Sequence, residues 1–310
     1  MSERRQALAP YAALIGLALI WGVSFLLIKI AIRDMSPTSV LLFRSTFGCL
    51  MLAVIVRLMG RPLFSVGWRT RIVSFGIMAV TNAVIPWVAI AWGEEHITSG
   101  LASILNSTTT LWTAVLIYWV MPSERPSVVN YVGVLIGFAG VVILVLPDVL
   151  AHGLSGNVFG SLAVVVASLS YAVNALYQRR KMRSVSVFEV SLGQLVASVI
   201  FAIPIAAPSI PHIHLAVASM AAVVALGAGG SGIAYLLYYY VMNRLGAVRA
   251  AGVTLLVPIT AVFWGVLLLH ESFGAPVIIG MVVILAGIVL TNLRRSAQAQ
   301  PAAKADSAAA

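Results

Sequence analysis

The sequence predicts an all-α integral membrane protein, ten transmembrane helices arranged as two inverted five-helix repeats, and three observations carry that expectation. Ten apolar stretches of bilayer length fill the chain, its basic residues alternate between the two sides of those stretches, and the second five stretches repeat the first. Of 310 residues, 61% are hydrophobic and 9% charged, with a mean hydropathy of +1.04, too little polar surface to clothe a water-soluble globule. A helix needs ~20 apolar residues to cross a hydrocarbon core of roughly 30 Å. The apolar-out, polar-in alternation of a membrane β-barrel is absent, which leaves helices as the way to satisfy every backbone group in lipid.

The first span is expected at Tyr11 to Ile32. Arg4 and Arg5 ahead of Leu14 to Ile20 imitate a secretory signal peptide, but apolar sequence continues through Ile32 without a small-x-small site, so a retained helix is predicted. The second span, Pro37 to Leu58, holds the single cysteine, Cys49, which is read as packing; one cysteine makes neither a disulfide framework nor a thiolate cluster. The third, Thr70 to Trp92, is interrupted by Asn82 and Pro86, and the fourth runs from Ser99 to Met121. In the fifth, Val128 to Leu146, Gly133 and Gly137 form a small-xxx-small pair that suits a dimer contact or internal packing equally. Val158 to Arg179 and Val187 to Ala207 follow. The eighth span, Leu215 to Leu245, is interrupted by Gly227, Gly229, Gly230 and Gly232 at the depth of Asn82 and Pro86. Ala247 to Leu269 and Ala275 to Leu293 complete the set, and the Ala-rich stretch after Arg295 reads as a disordered tail. The expected organisation is one membrane domain: a first repeat over 1–148, a second, inverted repeat over 149–295, and a tail over 296–310.

A formal charge of +10 would suggest nucleic acid for a soluble protein, but its placement says otherwise. Of 19 Lys and Arg, 16 fall on the side of the N-terminus, Lys29 and Arg33 on the other, and Arg44 inside a span. The positive-inside rule then places both termini in the cytoplasm, which requires an even helix count. Carboxylates fall at or beyond helix ends, and Glu94, Glu95 and Glu271 fall in or beside the outward loops with all five histidines. His212 and His214 lack further ligands for a metal, so no metal or other cofactor is expected. No carboxylate is expected at depth to carry a proton, and no Walker loop is present, which predicts facilitated movement of a substrate down its own gradient.

Shifting the first half by 147 positions lays Thr113-Ala114-Val115 on Thr260-Ala261-Val262, Glu124 on Glu271, and Gly133 and Gly140 on Gly280 and Gly287. Near the front a shift of 150 matches Ser36, Val40 and Leu42 to Ser186, Val190 and Leu192, and Trp21 to Tyr171. Five helices per copy is odd, so the second copy enters from the opposite face. Inverted repeats can exchange inward and outward shapes about a central site.

The order and spacing of Trp21, Gly22 and Ser24, of Arg44, of Glu124 and Glu271, and of the glycines in spans five and ten resemble the EamA-type branch of the drug/metabolite transporter superfamily, from Pro10 to Arg295. Within it the chain is most similar to YddG-type exporters. That resemblance implies a bacterial inner-membrane exporter of aromatic and other neutral amino acids, with methyl viologen-like compounds as further substrates; a proton-coupled efflux pump is the alternative. Thr109 and Thr110 stand where many relatives carry a proline, whereas Pro258 is kept.

Polar groups at mid-span are costly unless they face protein or a wet cavity, so they mark the candidate site. Trp21 and Ser24, Asn82, Asn106 and Thr109, Tyr171 and Asn174, and Tyr235 and Tyr239 are the expected substrate contacts; Arg44, Pro86, Gly227, Gly230 and Pro258 are the expected gating or structural residues. Arg44 is expected either to hold a substrate carboxylate or to snorkel outward onto backbone carbonyls. Glu124 and Glu271 are expected to cap the helices that follow them, and Tyr238 and Tyr240 to anchor at the interface. The partners expected are a small neutral molecule and the lipid bilayer, with no nucleic acid, in a monomer or weak homodimer. One cation at depth argues against polyanionic substrates. No nucleophile-base pair for an enzyme and no filter-like loop for a channel is visible.

Overall fold

The computed structural model describes residues 3–121, 127–213, 216–245 and 252–308. These fold as α1 (Glu3–Ala31), α2 (Pro37–Leu58), α3 (Trp68–His96), α4 (Ser99–Val120), α5 (Val128–His152), α6 (Gly156–Lys181), α7 (Val187–Ala206), α8 (Val217–Met242, continuing to Leu245), α9 (Val253–Leu269) and α10 (Ala275–Ala308). Among the described residues nine helices are long and apolar enough to span a bilayer, and α9 is a tenth, shorter apolar helix of 17 residues. All ten lie on the sequence-predicted spans. α10 runs on through the alanine-rich segment predicted as a disordered tail, in line with alanine's helix propensity. The boundaries follow local chemistry: Ser36 accepts from the amide of Ser39 and Pro37 opens α2, Thr98 accepts from the amide of Leu101, and Ser127 and Asn130 form a capping box at the start of α5.

Packing obeys an exchange of the two halves. α1 packs on α8 and α9 as α6 packs on α3 and α4, α2 on α8 as α7 on α3, while α2–α7, α4–α9 and α5–α10 are pairs of equivalents. Two features show the two-fold in atomic detail. A Cβ on Gly133 would lie 2.8 Å from the carbonyl oxygen of Gly287, and one on Gly280 3.0 Å from that of Gly140; the 147-residue shift turns each contact into the other. Gly137 sits in the same seam beside Gly287, so the small-xxx-small pair serves α5–α10 packing. With five crossings in each half, equivalent helices run in opposite senses, and the repeats are inverted.

Helices α3 and α8 are not α-helical throughout. π-helical turns occupy Val80–Val84 in α3 and Leu226–Ile233 in α8, at the two interruptions legible in the sequence. Each π-turn leaves a carbonyl that the helix ladder does not satisfy locally, and the first helix of the other repeat supplies the donor. Ser170 on α6 donates to the Thr81 carbonyl at 2.8 Å, and Trp21 on α1 donates through Nε1 to the Gly230 carbonyl at 3.3 Å. A shift of 149 exchanges these two bonds. It pairs Trp21 with Ser170 rather than Tyr171, one residue from the register read off the sequence.

We call the face bearing the N-terminus the inner face. There Arg71 pairs with the buried Glu189 of α7 at 2.8 Å, while the Ser65 amide donates to the other Glu189 oxygen, tying the α2–α3 connection to the opposite repeat.

Candidate functional site

Between the two repeats lies a cavity of about 420 Å³ whose walls come from α1, α2, α3, α4, α6, α7, α8 and α9. That size suits a small metabolite. Its inner end reaches Gln178 in the last turn of α6 and Val187 at the start of α7. Its outer end is closed by the largest apolar cluster, in which Ile28, Met35, Ile90, Ile97 and Leu105 are buried.

Arg44 enters from α2. Its guanidinium carbon stands 4.0 Å from the centre of the Trp87 ring, and Nε donates to Ser231 in the α8 π-turn at 3.4 Å. No carboxylate of the described residues lies within ion-pair distance of it. The expected snorkel to backbone carbonyls is replaced by this stack: the Trp87 face attracts the cation and holds it over the cavity. Opposite, Asn82 donates to Gln194 at 3.2 Å and Gln194 to the Tyr235 hydroxyl at 3.2 Å, a relay from α3 through α7 to α8. Thr81 donates to Asn174 at 3.3 Å. Trp21 and Tyr238 pack with ring centres 5.8 Å apart. Two wall atoms, Ser103 Oγ and Asn106 Oδ1, are buried without a hydrogen-bond partner. Buried polar atoms are rarely left so, and an unpaired donor and acceptor in a cavity wall await a ligand or water.

Of the expected contacts, Trp21, Ser24, Asn82, Asn106, Thr109, Tyr171, Asn174 and Tyr235 all line the cavity, as do Arg44, Gly230 and Pro258. The Tyr239 side chain lies outside the described residues, as do Glu124 and His214. Pro86 and Gly227 are not in the wall. Pro86 is buried in the first turn after the α3 π-turn, and Gly227 brings α8 against α2, where a Cβ would lie 2.7 Å from the Arg44 carbonyl. Sequence reasoning missed Trp87, Gln194 and Gln178, and it read Tyr238 as an interfacial anchor, whereas Tyr238 lines the cavity. Gln194, a polar residue near the middle of α7, carried the same signal as Asn82.

Two carboxylates depart from the sequence expectation. Glu271 does not cap the helix that follows it: its oxygens accept from the Ser99 amide at 2.8 Å, the Ser99 hydroxyl at 3.0 Å and the Gly100 amide at 3.3 Å, so it caps α4 from the other repeat. Glu94, assigned to a solvated loop, is in the last turn of α3 with 0% exposure, because α3 continues four residues past Trp92 and packs this face inward. The absence of a buried carboxylate therefore fails as a premise. No Asp or Glu of the described residues lines the cavity itself.

Residues 8–146 and 158–293 each match the model of the EamA-like transporter family, one match per repeat. The uncharacterized transporter YoaV of Bacillus subtilis is 23% identical over 90% of this chain and 95% of its own. The uncharacterized inner membrane transporter YedA of Escherichia coli is 25% identical over 93% and 92% respectively. A solved structure described only as "crystal structure of protein" shares the fold, with a TM-score of 0.66 at 20% identity over 93% of this chain and 98% of that one.

Proposed function

Because this chain belongs to the EamA-like transporter family, we propose that it exports small neutral metabolites, aromatic and other neutral amino acids first among them, by alternating access across a bacterial inner membrane with both termini in the cytoplasm. The observation that carries the reading is the cavity wall, which among the described residues holds one cation, Arg44, over Trp87 amid rings, hydroxyls and neutral amides. A guanidinium suits a carboxylate through its planar fork. Asn106 Oδ1 is free to accept from an ammonium, and the Trp21–Tyr238 pair offers a face to an aromatic or aliphatic side chain. The same cation disfavours a dication such as methyl viologen, and a single cation disfavours polyanions. The π-turns of α3 and α8, each held by the first helix of the opposite repeat, supply matching hinges for the exchange of shapes.

With no carboxylate among the described residues of the wall, we read movement as running down the substrate's own gradient. Competition binding of labelled amino acids to purified protein, followed by counterflow in proteoliposomes, tests the reading. Expected are saturable binding of neutral aromatic and aliphatic amino acids and counterflow without an imposed pH gradient. Uptake that appears only with such a gradient, or no binding of any neutral amino acid, refutes it.

A further inference from the structure

At the sealed outer end of the cavity sits an ionisable group that the transport reading leaves without a task. Glu94 has no solvent exposure, and neither of its carboxylate oxygens has a hydrogen-bond partner. The neighbouring cation does not supply one. Lys29, at the outer end of α1, directs its ammonium to the backbone carbonyls of Glu94 and Ile97, the second at 2.8 Å. These are end carbonyls of α3, so Lys29 pins the outer end of α1 to that of α3 and shuts the mouth between them. An ionised carboxylate in this position is uncompensated by any donor, whereas a neutral carboxyl costs far less to bury.

The repeat exchange indicates what opening does to it. Under the 149-residue shift that interchanges the two bonds to the π-turns, Lys29 corresponds to Gln178 and Glu94 to Asn243. Gln178 lines the inner end of the cavity. When the repeats trade shapes, Lys29 comes to line the outer end of the cavity as Gln178 lines the inner end, which brings water to Glu94 beside it. The inner pair is two neutral amides by sequence; the outer pair is ionisable. Of these two matched pairs, only the outer has a proton to exchange as it moves.

We propose that Glu94 is a proton-binding site that gates the outer mouth, an inference that rests on the alternating-access reading above. With the mouth shut the carboxyl is buried and neutral. On opening, its O–H bond breaks, the proton passes to water on the outer side, and the electron pair stays on the carboxylate beside the Lys29 ammonium; closing reverses each step. The proton returns to the solution it came from, so the cycle moves none across the membrane, and external acid holds the mouth shut.

The charged and titratable groups around Glu94 are Lys29 from α1, Arg44 from α2, Glu271 from the segment after α9, and Glu95 and His96 on α3 itself. α4 carries no Asp, Glu, Lys, Arg or His, and those of α6 are all at its inner end. Glu271 is engaged by Ser99 and Gly100, and Arg44 by Trp87 and Ser231, which leaves Glu95 and His96 as the neighbours whose replacement must be compared with that of Glu94.

Spin labels on Arg33→Cys and Leu154→Cys in a Cys49→Ser background test this, measured without and with a neutral amino acid. Both positions are exposed, the first just beyond α1 and the second beside α6, whose outer end is locked to α3 where Gly93 meets Gly160. Between about pH 5 and about pH 8, the ratio of long to short distances is expected to rise with pH, by up to about tenfold per pH unit, the limit for one proton. Glu94→Gln is expected to stay short at every pH, and Glu94→Asp, Glu95→Gln and His96→Gln to keep the response. A response that persists unchanged in Glu94→Gln, or is lost in Glu95→Gln or His96→Gln, overturns the proposal alone. A distance that switches with substrate but ignores pH also overturns it alone. One unmoving distance under every condition overturns it together with alternating access.

Discussion

Arg44 and Glu271 are the residues whose chemistry the site and the packing lean on most directly. Arg44 is stacked on Trp87 with Nε on Ser231 and is part of the cavity wall. Arg44→Lys keeps a charge but loses the planar stack and the paired donors. We expect half-saturation for a neutral amino acid to rise about tenfold in Arg44→Lys and more in Arg44→Ala, corresponding to roughly 1.4 kcal/mol or more, in binding measured on protein that elutes as a single species. Glu271→Ala should cost about 1.5–3 kcal/mol, because it strips a charged acceptor from the first amides of α4; thermal unfolding in detergent checks it, with Glu271→Gln intermediate. Arg44 stood out in the sequence as the basic residue inside a span. Glu271 stood out too, but its partner did not, since the helix end it caps lies 172 positions earlier in the chain. Glu94 was misassigned for a related reason: Glu94, Glu95 and His96 read together as a polar loop, yet as the last turn of α3 they point to different sides, and one of those sides is the protein interior.

Among elements, the two π-turns and the α5–α10 seam were the most legible. Asn82 with Pro86, and the glycine run from Gly227 to Gly232, mark the interruptions at the right depth, because residues that weaken the α-ladder are costly in lipid unless something re-satisfies the backbone. What re-satisfies it is tertiary: Ser170 for one π-turn and Trp21 for the other. Trp21→Phe keeps the ring against Tyr238 and removes only the donor to Gly230. Counterflow rate is expected to fall severalfold while folding is retained, consistent with a lost hydrogen bond of about 0.5–1.5 kcal/mol. In the seam, a Cβ on Gly287 would lie 2.5 Å from the Gly137 amide nitrogen, so Gly287→Ala should destabilise by about 1–3 kcal/mol. Gly229→Ala, where nothing stands within 4 Å, should leave stability unchanged, and the same thermal measurement separates the two.

At the scale of the whole molecule, the distribution of 16 basic residues on one side against 2 on the other makes a topology prediction. Reporter fusions at the N-terminus and after Ala310 should both report the cytoplasm, and a fusion in the α5–α6 connection the opposite side. Ends on opposite faces would remove the inverted repeat and the cavity between its halves. Span number, their inversion and a polar part of the cavity wall were legible in the sequence alone, because lipid enforces long apolar helices, charge bias sets their sense, and polar residues survive at mid-span only where they face something other than lipid. Tertiary structure alone decided which side chains meet: Arg44 on Trp87, Gln194 between Asn82 and Tyr235, Glu271 on α4, and Glu94 sealed beneath Lys29. The rotation of each helix about its axis, and its neighbour across the two-fold, arise from packing between residues far apart in the chain, and no local pattern encodes them.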